Sequence, residues 1–138
     1  MYRYYAEAAI CYVYLSDIMG ACPELHDHAY SALEESEKWS QFFMKSRWFT
    51  RGWTLQELIA PTSLEFYGWK WNYLGNKRNL VETIYKATGI DLASLRNSSK
   101  LSSMSVAQRM SWAAHRQTSR VEDQAYCLLG IFKYDLTP

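Results

Sequence analysis

The groups best able to do chemistry concentrate in one stretch, Ser46-Arg47-Trp48-Phe49-Thr50-Arg51-Gly52-Trp53-Thr54-Leu55-Gln56-Glu57-Leu58-Ile59-Ala60-Pro61. Arg47 and Arg51 can grip a phosphate or carboxylate through paired donors. Trp48 and Trp53 read with Gly52 as a packing knot rather than a binding site, and Glu57 is a carboxylate in what reads as the first turn of a helix. The spacing also has a purely structural account. Thr54 and Glu57 have the T-x-x-E pattern of a capping box, in which the hydroxyl takes one orphan amide and the carboxylate another. Leu55, Leu58 and Ile59 recur at i, i+3, i+4, giving the helix one apolar face. Gly52 permits a close approach or a positive φ before it, and Pro61 ends it by disfavouring the α region at the preceding residue.

Other candidate groups are sparser. Ser16-Asp17 closes an apolar run, and the polar end of such a strand is where an open α/β sheet places functional groups. A turn or N-cap is the plainer reading of Asp17. Cys22, His26 and His28 give C-x3-H-x-H without a second cluster, which reads as a polar loop around Pro23 and not as zinc. Trp69 and Trp71 point the same way if extended, and could stack a ring or wedge elements together. Arg109, Arg116, Arg120, Glu122 and Asp123 form a charge-rich corner, read as structural.

The elements that would position these groups follow from periodicity. Tyr2 to Ala8 reads as the end of a helix. Ala9 to Leu15 is continuously apolar, as suits a central strand of a parallel sheet. Met19 to Tyr30 is a loop by composition, and Ala29 to Met44 a helix with Trp39 and Phe42 sharing a face. Thr62 to Tyr67 alternates as a strand, with Leu64 and Phe66 inward. Asn76 to Thr88 is a helix with Leu80, Val81, Ile84 and Tyr85 inward and Gly89 at its end. Ile90 to Leu95 forms a short turn, and Asn97 to Ser103 a loop. Ser105-x-x-Gln108 and Ser119-x-x-Glu122 are capping boxes. The first opens a helix with Val106, Met110, Ala113 and Ala114 on one face. The second opens one with Val121, Ala125, Leu128, Leu129 and Phe132 together.

Three segments carry a resemblance. R-G-W-T-L-Q-E-L-I-A-P preceded by S-R-W-F-T, the run Ala9-Ile10-Cys11-Tyr12-Val13-Tyr14-Leu15-Ser16-Asp17 upstream, and Arg109-Met110-Ser111-Trp112-Ala113-Ala114 with Arg120 to Phe132 downstream stand in the order of the fungal heterokaryon-incompatibility (HET) domain. The chain resembles the C-terminal part of that domain. Both ends read as cut, so residues 1–138 are expected to be a partial HET domain without its N-terminal portion. The resemblance implies nonself recognition that triggers programmed cell death, through self-assembly or a neighbouring sensor domain.

A more distant resemblance is to TIR domains. Ser46-Arg47-Trp48 with Trp53-Thr54-Leu55-Gln56-Glu57-Leu58 is similar to their S-x-W-C-x-x-E-L segment, with Thr54 in place of the cysteine and Phe49-Thr50-Arg51-Gly52 extra. That resemblance implies an incomplete TIR-like (flavodoxin-like) α/β fold, with a mostly parallel sheet, flanking helices and a helical C-terminal part. It also implies NAD glycohydrolase activity. Glu57 would be the catalytic carboxylate, stabilising the oxocarbenium-like transition state of nicotinamide–ribose cleavage. Arg47, Arg51 or a helix amide would hold the diphosphate, with Trp53 and Ser16 completing the substrate site. NAD would be a substrate, and no cofactor is required.

Composition bounds the rest. The 138 residues suit one domain, with 49% hydrophobic and 16% aromatic residues to build a core. The net charge of +1 comes from interspersed acids and bases, against a dedicated nucleic-acid surface. No apolar run approaches the roughly 20 residues of a membrane span. Three cysteines without framework spacing fit the reducing cytoplasm. Three readings stay open: a signalling domain that assembles through exposed aromatic surface, a TIR-like NAD glycohydrolase, and an inactive fragment.

Overall fold

The computed structural model describes residues 1–20 and 31–132, and of residues 31–35 the backbone alone. In chain order come α1 (Tyr2–Glu7), β1 (Cys11–Tyr14), α2 (Ser31–Met44), a 3-10 turn (Arg47–Thr50), α3 (Thr54–Ile59), β2 (Leu64–Tyr67), a 3-10 turn (Trp69–Trp71), β3 (Tyr73–Asn76), α4 (Val81–Thr88), α5 (Leu92–Arg96), a 3-10 stretch (Ser98–Ser103), α6 (Val106–Ala113) and α7 (Val121–Phe132). The expected loop around Cys22, His26 and His28 lies outside the described residues.

The chain is mixed α/β. Its three strands lie in the order β1-β2-β3, β1 parallel and β3 antiparallel to β2. Val13 pairs with Phe66 and Tyr14 with Tyr67. The parallel pairing needs a crossover, which α2 and α3 supply. Period-2 alternation then sends Val13, Leu64, Phe66 and Leu74 into the core and Tyr12, Tyr14, Tyr67 and Tyr73 to the other face.

Two strand expectations need correction. β1 is an edge strand among the described residues, not a central one, and Tyr12 and Tyr14 are exposed. Tyrosine counts as apolar in a periodicity, yet its hydroxyl tolerates a wet face. Trp69 and Trp71 are not extended: Lys70 and Trp71 take φ of 57° and 60°, and Gly68 N–H bonds Asn72 O at 2.8 Å. This reversal creates β3, a strand absent from the sequence reading, in which its last residue, Asn76, opens a helix. α4 accordingly begins at Val81 rather than Asn76, with Ile84 buried and Tyr85 exposed. Gly89 closes it at φ 72°, the left-handed conformation expected there.

The core is an aromatic cluster continued by the aliphatic face of α3. Phe43 is fully buried, its ring centroid 5.3 Å from those of Trp39, Phe49 and Phe66. The inward pair of α2 is therefore Trp39–Phe43 at i, i+4, while Phe42 is 69% exposed. Leu55, Leu58 and Ile59 are all fully buried, as their spacing predicts.

The C-terminal helices turn differently from expectation. The Ser105–Gln108 capping box forms. Yet α6 buries Arg109 and Trp112 and leaves Val106 and Met110 half exposed. The Arg109 guanidinium donates to Ile131 O at 3.0 Å and lies 5.2 Å from the Phe132 ring centre. α7 starts at Val121, too late for a Ser119–Glu122 box, and turns Cys127 and Ile131 inward while Val121 is exposed. Gly130 is a close-approach point: a Cβ there would collide with Tyr2 of α1.

Candidate functional site

α3 is buried on nearly every side, so its ends decide what can gather around it. The expected Thr54–Glu57 capping box is absent. Trp53 is the N-cap and makes no side-chain cap bond. The Thr54 hydroxyl instead faces Trp48 O at 2.5 Å and Arg51 O at 2.8 Å, and accepts from Arg116 Nη1 at 2.8 Å. Arg116 Nη1 also donates to Arg51 O at 3.0 Å. Burial pushes this guanidinium's pKa down to about 10, against the opposing influence of Cys127 and Glu57. Arg109 and Arg116 thus bond carbonyls of α7 and of the turn before α3, a structural use of the charge-rich corner. Gln56 extends the pattern, donating to Cys127 O in α7 at 2.5 Å.

A cavity of about 630 Å³ opens beside the N-terminal end of α3. Three segments form it: the end of β1, the Arg47–Trp53 turn, and an arm at Gln117-Thr118-Ser119. Asp17 joins the first two. Its carboxylate accepts from Ser46 Oγ at 2.8 Å and from the Arg47 amide at 2.8 Å, and Arg47 Nε lies 3.7 Å away. Asp17 therefore clamps β1 to the turn, a longer-range role than the local turn or cap read from sequence. The arm is joined by a parallel bridge: Gly52 N–H donates to Gln117 O at 2.8 Å, and Gln117 N–H to Thr50 O at 2.7 Å. Gly52 serves this close approach. A Cβ at that position would collide with Thr118 Cγ2.

Ser16, Arg47, Arg51 and Trp53 all line this cavity. Its carboxylates are Asp17 and Asp123. Two guanidiniums, an indole and several hydroxyls can take an anionic group joined to a flat ring. Glu57 is not among the lining residues. It sits half-buried one turn along α3, where its Oε1 accepts from Tyr5 OH at 3.1 Å. Burial, the Glu57 charge and this bond push the Tyr5 hydroxyl up to about 12. The Gln117–Ser119 arm and Asp123 escaped the sequence reading as site residues. A polar Gln-Thr-Ser run between two helices marks a loop without saying where it docks. Among the described residues no group of three or more His, Cys, Asp or Glu could hold a metal ion, and no helix is long and apolar enough to cross a membrane.

The Asp17 clamp has a pH signature. Burial raises the pKa of this carboxyl, but the Arg47 amide, the Ser46 hydroxyl and the Arg47 charge together hold it below its ordinary 3.8. A depressed carboxylate contributes stability that is present above the unfolded value and lost as pH falls through the folded one. Asp17→Asn should cost on the order of 1–2 kcal/mol at neutral pH. It should also flatten the acid limb of the stability profile below about pH 4, measured by urea titration. An unchanged acid limb would show that the clamp contributes nothing.

The chain is 47% identical over 136 residues to vegetative incompatibility protein HET-E-1 of the fungus Podospora anserina. The match takes in 99% of this chain and 9% of that protein, so the chain spans under a tenth of its relative's length. No family model and no solved structure matches the chain. The chain is thus related to a protein of fungal heterokaryon (vegetative) incompatibility.

Proposed function

We propose that this chain serves in fungal vegetative incompatibility as a HET-type signalling domain, assembling in the cytoplasm with its own kind or a sensor domain to trigger cell death. The 47% identity to HET-E-1 across nearly the whole chain is the observation that carries this reading. A TIR-like ancestry of the fold belongs to the same proposal. It is supported by the sequence resemblance around Trp53 and Glu57 and by the crossover from β1 to a parallel β2.

A second reading, NAD cleavage, is favoured by the convergence of Ser16, Arg47, Arg51 and Trp53 on one cavity. In it the arginines hold the diphosphate and Trp53 the ring. Glu57 lies outside the cavity lining, so the ribose would have to reach over the first turn of α3 toward Tyr5.

One experiment tests both. The chain and its Glu57→Gln and Arg51→Gln variants are expressed inducibly in a fungal host, and viability and NAD content are followed together. Death with NAD unchanged, retained in Glu57→Gln, supports signalling by assembly alone. Loss of both death and NAD consumption in folded Glu57→Gln makes the signal enzymatic. A folded chain with neither effect is what the inactive-fragment reading requires, and it would sink the other two for this chain.

A further inference from the structure

A second cavity, about 340 Å³, lies between the β3–α4 connection and the C-terminal end of α5, and its charged lining is wholly basic. Lys77 forms its inner wall, with Arg78 and Arg96 at the rim, and no acidic side chain lines it. Lys77 is only 5% exposed. Its Nζ donates to Ile59 O at 3.3 Å and Pro61 O at 3.1 Å, the carbonyls that close α3. Those bonds use two of the three ammonium hydrogens. None of the three cations forms an ion pair among the described residues.

A buried ammonium without a countercharge is costly. Burial accordingly lowers the Lys77 pKa to about 8, opposed only by the influence of Cys11. Capping α3 accounts for Lys77 but gives no reason for two arginines to line the same hollow. Val81, which opens α4, lines it too, and Glu82 in the first turn of α4 is not among the lining residues.

We propose that this hollow binds a phosphate group, met from within by Lys77 and across the mouth by Arg78 and Arg96. The volume sits at the small end of ligand pockets and suits a phosphate or pyrophosphate group better than a whole dinucleotide. Guanidinium forks match phosphate oxygens bidentately, and the ammonium supplies a point charge behind them. The site is separate from the cavity at Arg47 and Arg51, so it stands or falls independently of the functional readings above.

The test uses the whole chain and inorganic pyrophosphate at fixed ionic strength, by calorimetric titration. The variants are Arg78→Gln with Arg96→Gln, and separately Arg47→Gln with Arg51→Gln. All four positions are exposed, so folding is not at stake. Loss of each charge-assisted contact should weaken binding about tenfold. The expected result is micromolar to millimolar binding that falls at least tenfold in the Arg78/Arg96 pair alone. No binding to the wild-type chain, equal binding by that pair, or a loss confined to the Arg47/Arg51 pair would overturn the proposal. A second arm uses phosphatidylcholine vesicles with phosphatidic acid. Vesicle capture that depends on Arg78 and Arg96 and is competed by pyrophosphate makes the source a lipid headgroup. Pyrophosphate binding without capture makes it a soluble phosphate compound.

Discussion

Phe43→Ala will destabilise the fold by about 3–5 kcal/mol, the cost of emptying a fully packed aromatic site. Phe43 touches Trp39 on its own helix, Phe49 in the turn before α3, and Phe66 in the central strand. Removing it uncouples the crossover from the sheet at one point. A domain of this size has about 5–15 kcal/mol in total, so the variant should be marginal at growth temperature. The measurement is the urea midpoint with the slope unchanged. Phe42→Ala is the control. Its ring is 69% exposed, and the change should stay within about 0.5 kcal/mol. Equal costs for the two would mean that α2 is rotated from the orientation described.

Gly52→Ala should cost about 1–3 kcal/mol by overpacking and should also alter the larger cavity. The added Cβ meets Thr118 Cγ2 and comes within 3.1 Å of Cys127 Sγ. Thr118 sits on the arm that walls the cavity, so relieving the clash moves the arm outward. The clash names its own remedy. Thr118→Ser removes Cγ2 but keeps the hydroxyl that bonds Arg120 O at 2.6 Å. The double variant should therefore recover much of the loss, with a coupling energy of about 1 kcal/mol in a double-mutant cycle. Strict additivity would place the damage elsewhere.

The contrast between α3 and the two last helices shows what the sequence could reveal. Leu55, Leu58 and Ile59 read correctly because a short apolar stripe has one way to face a core. The helix also stops at Ile59 before Pro61 as expected, although Ala60 keeps α-region angles. The capping box at the start of α3 does not form, because tertiary partners displace local ones. The Thr54 hydroxyl prefers Trp48 and Arg51 carbonyls with Arg116 behind it, and Glu57 prefers Tyr5. α6 misled for a related reason. Arg109 reads as part of a charge-rich corner and not of the helix's inner face, yet it is buried on a carbonyl of α7, which turns Val106 and Met110 outward. α7 is apolar almost all round at Leu128-Leu129-Gly130-Ile131, so periodicity alone could not choose its inner face. In the larger cavity, proximity in sequence made Arg47, Arg51 and Trp53 legible as a group. The Asp17 clamp and the bridge to Gln117 are long-range and leave no local pattern.

The outer face of the sheet bears on how the protein will look to light. Tyr14 and Trp71 stack with centroids 4.7 Å apart, and Tyr67 touches Tyr12, Tyr73 and Trp71. Rings this close and fixed in orientation share their electronic excitations. The far-ultraviolet circular dichroism should therefore contain an exciton couplet from aromatic rings beside the backbone signal. A helix fraction fitted from that spectrum will be wrong by whatever the couplet contributes. Trp71→Leu, which breaks the stack at an exposed position, should change the spectrum while the amide hydrogens of the helices exchange as before.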